Sequence, residues 1–395
     1  MIRVLYDEWG FQETHGGVSR LFSEVIKNLP KEFVWEITAK YTSNEYLKAS
    51  PFNVPVAKMT FAEFRRIWLR GKYFSGANHL YQFLAHLFPS VIQSAEVINK
   101  CARIRALKAG NFDVYHADAP DLRWVPQNKP IVETVCDLIP EVIYHDPRRY
   151  HDREKNISRI SHYITISRNT KRDLQRIYGI KDEKITVIPL GYNLRNGLNV
   201  QGVHLGRLKV EKKKYVLFVG KRGGYKNFNW MVRVISPLLK LQDLKLFCTG
   251  VAFSAAEKNL LSELGIEDRT IQAFVSDLEM QALFENAIAF IHPSLYEGFG
   301  IPILDAFAAG CPAVIANASC FPEVAQDAAL YFDPQGDGED LRQHIVSLMA
   351  GDCESPLRQA LIRKGRDRVK DFSWKKCALE TAAVYRKVLA EFGSR

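Results

Sequence analysis

The sequence contains no apolar run approaching the roughly 18 to 20 uncharged residues that cross a bilayer. Its opening stretch, Met1-Ile2-Arg3-Val4-Leu5-Tyr6-Asp7-Glu8, turns acidic too early for a secretory leader. A soluble, cytoplasmic chain is expected. The seven cysteines (Cys101, Cys136, Cys248, Cys311, Cys320, Cys353, Cys377) are odd in number, scattered and without a CxxC pair. That spacing argues against a disulfide framework or a zinc site and for reduced thiols. GxGxxG and GxxxxGK[ST] are both missing, which disfavours a dinucleotide dehydrogenase and a P-loop NTPase. No D-x-D pair offers a divalent cation two carboxylates, and the nearest imitations, Asp337-Gly338-Glu339 and Asp352-Cys353-Glu354, fall in polar turns, so no metal or other cofactor is expected. Repeats, low-complexity tracts and nucleic-acid-binding signatures are also lacking, and no nucleic-acid partner is expected.

What is there is the composition of a folded globular protein: 395 residues, 47% hydrophobic, 11% aromatic and 25% charged. That length favours two domains, each large enough to bury its own core. The net charge of +10 is uneven. Residues 1–200 carry 29 basic against 21 acidic side chains, or +8, and residues 201–395 carry 25 against 23, or +2. The first half therefore faces something anionic.

Short apolar runs alternate with helical periodicity. Ile2–Tyr6 reads as a buried strand, followed by the turn His15-Gly16-Gly17 and a helix with Val18, Leu21, Phe22, Val25, Ile26 and Leu29 on one face. Further strands read at 34–38, 114–116, 131–135 and 163–166. After a glycine-punctuated linker at 191–197, a second series reads at 215–219, 244–249, 271–273, 287–291 and 313–316, and helical text closes the chain from Ser373. Alternating strands and helices imply two doubly wound parallel sheets, an α/β architecture with domains at 1–192 and 193–372.

Two stretches carry chemistry. Tyr296-Glu297-Gly298-Phe299-Gly300-Ile301-Pro302-Ile303-Leu304-Asp305-Ala306 follows a buried strand and leads into a helix. Its glycines let backbone N–H groups approach a ligand, and a helix N-terminus favours phosphate. Glu297 can only accept hydrogen bonds, which suits a grip on hydroxyls, and Asp305 lies about one turn into the helix. A plain strand-to-helix turn with an exposed acid fits the same residues. Val219-Gly220-Lys221-Arg222-Gly223-Gly224-Tyr225-Lys226-Asn227 places Arg222, whose planar fork suits phosphate oxygens, and Lys226, a compact charge, where open α/β sheets bind ligands. A solvated basic turn is the alternative.

Taken with Gly16-Gly17-Val18-Ser19-Arg20, Val135-Cys136-Asp137-Leu138-Ile139-Pro140, Thr165-Ile166-Ser167-Arg168-Asn169-Thr170-Lys171, Val187-Ile188-Pro189-Leu190-Gly191 and Phe321-Pro322-Glu323-Val324, these stretches resemble the retaining family 4 glycosyltransferases over nearly the whole chain. The resemblance implies the GT-B fold, two Rossmann-like domains facing across a cleft, with the C-terminal helix 373–395 packing back on the first. It implies a nucleoside-diphosphate-sugar donor on the second domain and a saccharide or lipid-linked acceptor on the first. Carried over, Arg222 and Lys226 neutralise the diphosphate and Glu297 contacts donor-sugar hydroxyls. Phe299, Gly300 and Ile301 present backbone groups, Gly16 and Gly17 line the donor site, and Val275 lies where the base binds. Asp305 stands for the second glutamate of the family's E-x7-E pattern, one methylene shorter, which puts its grip on the ribose in question. Cys136 occupies a position where many members carry histidine, and Asp137 becomes the polar contact there; Glu141, His145 and Asp146 could serve an acceptor hydroxyl or simply form a solvated loop. By resemblance GDP-mannose is the preferred donor, with UDP-sugars next, and a catalytically silent sugar-nucleotide-binding scaffold is the alternative. Segment 58–74, with Phe61, Phe64, Ile67, Trp68 and Leu69 beside Arg65, Arg66 and Arg70, suits docking on an anionic membrane surface, the cytoplasmic face of the inner membrane, or a core helix with a cationic edge.

Overall fold

The computed structural model describes residues 1–11, 16–55, 77–87, 95–118, 122–193, 208, 210–351 and 355–393. The membrane candidate 58–74, linker residues 194–197 and the triplet 352–354 lie outside them.

Among the described residues, twelve strands form two separate six-stranded sheets. The first holds β1 (Ile2–Tyr6), β2 (Phe33–Ile37), β3 (Val114–Ala117), β4 (Ile131–Val135), β5 (His162–Thr165) and β6 (Ile185–Val187), in the order β2-β1-β3-β4-β5-β6. The second holds β7 (Tyr215–Phe218), β8 (Lys245–Thr249), β9 (Thr270–Ala273), β10 (Phe290–His292), β11 (Ala313–Ala316) and β12 (Ala329–Phe332), in the order β12-β11-β10-β7-β8-β9. Every pairing is parallel. Helices cover both faces, so the inner strands are buried on both sides and read as unbroken apolar runs such as Tyr215-Val216-Leu217-Phe218. This is the doubly wound α/β architecture expected from the sequence.

Strand order fixes where a ligand can sit. In the second sheet the chain runs outward through β7, β8 and β9, then returns to place β10 on the other side of β7. The connections leave a crevice outside the carboxyl ends of β7 and β10, the position where open sheets bind ligands. In the first sheet the corresponding switch lies between β1 and β3.

The final helix, Trp374–Gly393, packs against the first sheet and the helix Gly17–Lys27. Its Tyr385 hydroxyl lies 2.7 Å from that of Tyr6 and 2.6 Å from His116 Nδ1, while His116 Nε2 lies 2.7 Å from Thr134 Oγ1. A neutral imidazole offers one donor and one acceptor, and the two hydroxyls satisfy both. The sequence places a strand at 287–291, but the ladder of β10 runs over Phe290–His292, because the apolar text begins three residues before pairing does.

Candidate functional site

Lys226 and Glu297 come from the two sides of the second switch point and meet as an ion pair. Lys226 ends a single 3-10 turn, Gly224–Lys226, after β7. Glu297 sits in the irregular segment between β10 and the helix Ile301–Ala308. His292, at the end of β10, puts Nε2 3.6 Å from the Glu297 carboxylate. Burial and then the Lys226 charge push its pKa down to about 3, so the ring is neutral.

Gly300 caps the helix Ile301–Ala308 with φ +92, a left-handed conformation that glycine adopts freely. Gly298 is required for a different reason. A Cβ there would fall 2.0 Å from the Cys136 carbonyl oxygen and 3.2 Å from Asp137 Cβ, so the loop of the second sheet abuts the end of β4 in the first. Asp137 thus faces the Glu297 turn across the cleft. Burial first, and then the Glu297 charge among its neighbours, raises the Asp137 carboxyl above its ordinary value, while a bond from Ile139 N opposes the shift. Ile301 Cδ1 lies 3.8 Å from where a Cβ on Gly17 would stand, which brings the Gly16-Gly17 turn to the same helix end. Phe299 is buried edge-to-face against Phe372. Asp305 accepts a 2.8 Å hydrogen bond from Tyr192, which Arg20 overlies at 5.9 Å. Val275 follows β9 and packs partly on the core beside the exposed Phe274.

Arg222 has a different setting from an open phosphate clamp. Its side chain is 2% exposed; Nε donates to Glu257 at 2.8 Å, and Nη2 donates to the carbonyls of Val251 and Ala252 at 2.6 and 3.0 Å. Phe253 lies under the guanidinium at 4.6 Å. Only Nη1 is buried without a partner. The adjacent Lys221, in the turn that follows β7, is exposed. Its signal was present as charge next to the strand, but sequence spacing does not say which of two neighbours turns outward.

The acceptor candidates divide similarly. Glu141 is held by Arg153 Nη1 and by Tyr178 OH, both at 2.9 Å, and Asp146 caps the helix Pro147–Asn156 through Arg148 N. Both also line a cavity of about 360 Å³ with His145 and Arg176. Beside it the exposed Tyr144 approaches Tyr225 of the Lys226 turn, ring centroids 6.4 Å apart. At the first switch point Asp7 and Glu8 are buried around Arg103, at 3.6 and 3.7 Å.

Residues 16–196 match the family described as Glycosyltransferase Family 4, and residues 206–368 match glycosyl transferases group 1. The chain is 25% identical over 315 residues to O-antigen chain mannosyltransferase B of Escherichia coli, covering 75% of this chain and 80% of that one. It is 27% identical over 315 residues to the MMP alpha-(1->4)-mannosyltransferase of Mycolicibacterium hassiacum, covering 74% of each. Among solved structures, Anabaena HepE in complex with UDP and glucose superposes with a TM-score of 0.70 at 15% identity, covering 98% of this chain and all of that one. Sucrose-phosphate synthase from Thermosynechococcus elongatus gives 0.68 at 16%, covering 99% of this chain and 100% of that one. With both halves matched in order and the double sheet shared end to end, the chain belongs to the family 4 glycosyltransferases and has their GT-B fold.

Proposed function

We propose that this glycosyltransferase moves mannose from GDP-mannose to a saccharide or lipid-linked saccharide acceptor in surface-glycan assembly, with retention of configuration. The observation that carries the reading is the convergence of Lys226, Glu297 and the 298–301 turn at the second switch point, opposite Asp137. The names of the mannosyltransferase relatives support the sugar.

Residues 193–372 hold the donor and 1–192 the acceptor. The bond between the anomeric carbon and the diphosphate oxygen breaks, leaving negative charge on the diphosphate and an oxocarbenium-like sugar. Lys226, the exposed Lys221 and the amides of the 298–301 turn meet that charge without rearranging, which is where preorganised donors lower a barrier most. Arg222 acts on the same side by holding the 251–252 loop. Glu297 accepts from donor-sugar hydroxyls, and Asp137 faces the sugar from the first sheet. The acceptor hydroxyl bonds to the anomeric carbon on the face the diphosphate leaves, and its proton passes to the diphosphate. No resident metal is required by this scheme.

A UDP-sugar donor is the second reading, favoured by the UDP and glucose bound to the superposable HepE. A thermal-shift panel of GDP, UDP, ADP and their sugar conjugates in EDTA separates the two, because a ligand at 100 times its Kd stabilises by about 2.7 kcal/mol. A selective shift with guanine nucleotides is expected. A uridine-selective shift replaces the donor, loss of the shift in EDTA overturns metal independence, and no shift with any nucleotide transfers the weight to a silent scaffold.

A further inference from the structure

Glu297 lies in a segment that is neither strand nor helix, so something other than a backbone ladder must hold it. One side chain does. The Ser319 hydroxyl donates to Glu297 O at 2.7 Å and accepts from Glu297 N at 3.1 Å, fixing both main-chain polar groups of that residue. It also accepts from Asn169 Nδ2 at 3.3 Å. A serine hydroxyl has one donor and two acceptor positions, and all three are used here. Ser319 itself has φ +54, a left-handed conformation in which glycine is the unstrained residue. A serine held there has its hydroxyl as the compensating feature.

Asn169 belongs to the other lobe. It opens the helix Arg168–Tyr178, whose first amides, Arg168 N and Asn169 N, are capped by the two oxygens of Glu323 at 3.0 and 3.3 Å. Asn169 Nδ2 also lies 3.1 Å from Asp173 Oδ2, which accepts from Tyr296 OH at 2.8 Å. The two residues preceding Gly298 are therefore registered against one helix of the opposite lobe by two routes, Tyr296 to Asp173 and Glu297 through Ser319 to Asn169.

We infer that Ser319, backed by Asn169, is a positioning residue that aligns the Glu297 carboxylate with the donor sugar when the two lobes are closed as in this structure. The inference rests on Glu297 being the donor-sugar acid. It makes sugar recognition, and not nucleotide recognition, the property that depends on closure.

The test is Ser319→Gly, which removes the hydroxyl while relieving the left-handed backbone, so loss of folding does not intervene. Calorimetric titration with GDP and with GDP-mannose, or the uridine pair if wild type selects it, is the readout. The expected variant binds nucleotide within about twofold of wild type and loses about tenfold or more of the extra affinity for the sugar nucleotide. Asn169→Ala loses less, and the double variant is no worse than Ser319→Gly alone, as for residues acting in one chain. Equal losses for nucleotide and sugar nucleotide, or an unchanged ratio, overturn the inference. Amide-resolved hydrogen exchange gives a readout that needs no ligand. Asn169→Ala should speed exchange at the Glu297 amide, which Asn169 does not touch, and no change there breaks the relay. Failure of wild type to bind any nucleotide would sink the donor reading, while accelerated exchange would still support the relay.

Discussion

At the scale of single residues, burial decides what a charged side chain can do. Lys226 keeps 19% of its side chain exposed and reaches a carboxylate at the cleft, whereas Arg222 is 2% exposed and binds the main chain of its own lobe. Charge alone made the two look equivalent. Arg222, in the turn after β7, ties that turn to the loop after β8 through Val251 and Ala252 and to the helix Ala255–Glu263 through Glu257, so its removal leaves an acid and two carbonyls short of a partner. Breaking such a buried pair costs about 3–5 kcal/mol, and partial exposure of Glu257 argues for the lower end. Arg222→Ala should therefore lower the urea midpoint at an unchanged slope and weaken GDP, GMP and guanosine binding by the same factor. A residue on the diphosphate would instead weaken GDP most and guanosine least. Unchanged stability with a selective loss for the diphosphate would return Arg222 to the phosphate site.

At the scale of elements, the C-terminal helix shows how a remote segment is tied to the first sheet. Tyr385 meets Tyr6 and His116, and burial pushes the His116 pKa down to about 3. An unfolded histidine titrates near 6.5. Below that pH the unfolded chain binds a proton here that the folded chain does not, so stability contributed by neutral His116 is present above about pH 6.5 and erodes as pH falls toward 3. Other groups titrate over the same range, Glu8 and Glu133 among them, pushed up by burial to about 8 and about 7. A difference between variants removes them. His116→Gln should be less stable than wild type at pH 7, and the gap should narrow by about 2 kcal/mol at pH 5, since 1.5 pH units below 6.5 corresponds to that energy. Urea denaturation at the two pH values checks it; an equal gap at both would show that His116 is not held neutral.

The elements also show what local text can encode. Inner parallel strands are apolar on both faces, so 131–135 and 313–316 read directly as strands. The outer strands β6 and β12, three and four residues long and partly exposed, lack that contrast and are not legible as strands in the sequence. The site divides the same way. Glycine and charge at 219–227 and 296–306 are local signals, and both stretches come to one switch point. Ser319, Asn169 and the inward turn of Arg222 depend on contacts 22 to 150 residues apart, which no window of sequence contains.

At the scale of the whole molecule, the two lobes meet where Gly298 touches Cys136, and that contact leaves no room for a side chain. The backbone at Gly298 is not left-handed, so alanine fits its local conformation and the collision with the other lobe is the main consequence. A methyl group 2.0 Å from a carbonyl oxygen must be relieved by separating the lobes, because Cys136 is fixed at the end of a central strand and Gly298 by the Ser319 bonds to its neighbour. In the proposed function the nucleotide half of the donor site is built from the second sheet and is untouched by that separation, while the sugar half faces the first. Sugar alignment and exclusion of water both need the first lobe, and a displacement of about 1 Å in a reacting geometry costs on the order of 100-fold in rate. Gly298→Ala should therefore bind nucleotide within about threefold of wild type and release nucleoside diphosphate from the sugar nucleotide about 100-fold more slowly. Small-angle scattering should show a larger radius of gyration for the variant in the presence of nucleotide. Wild-type turnover with unchanged scattering would mean that the Gly298 contact is incidental and that closure is set elsewhere along the interface.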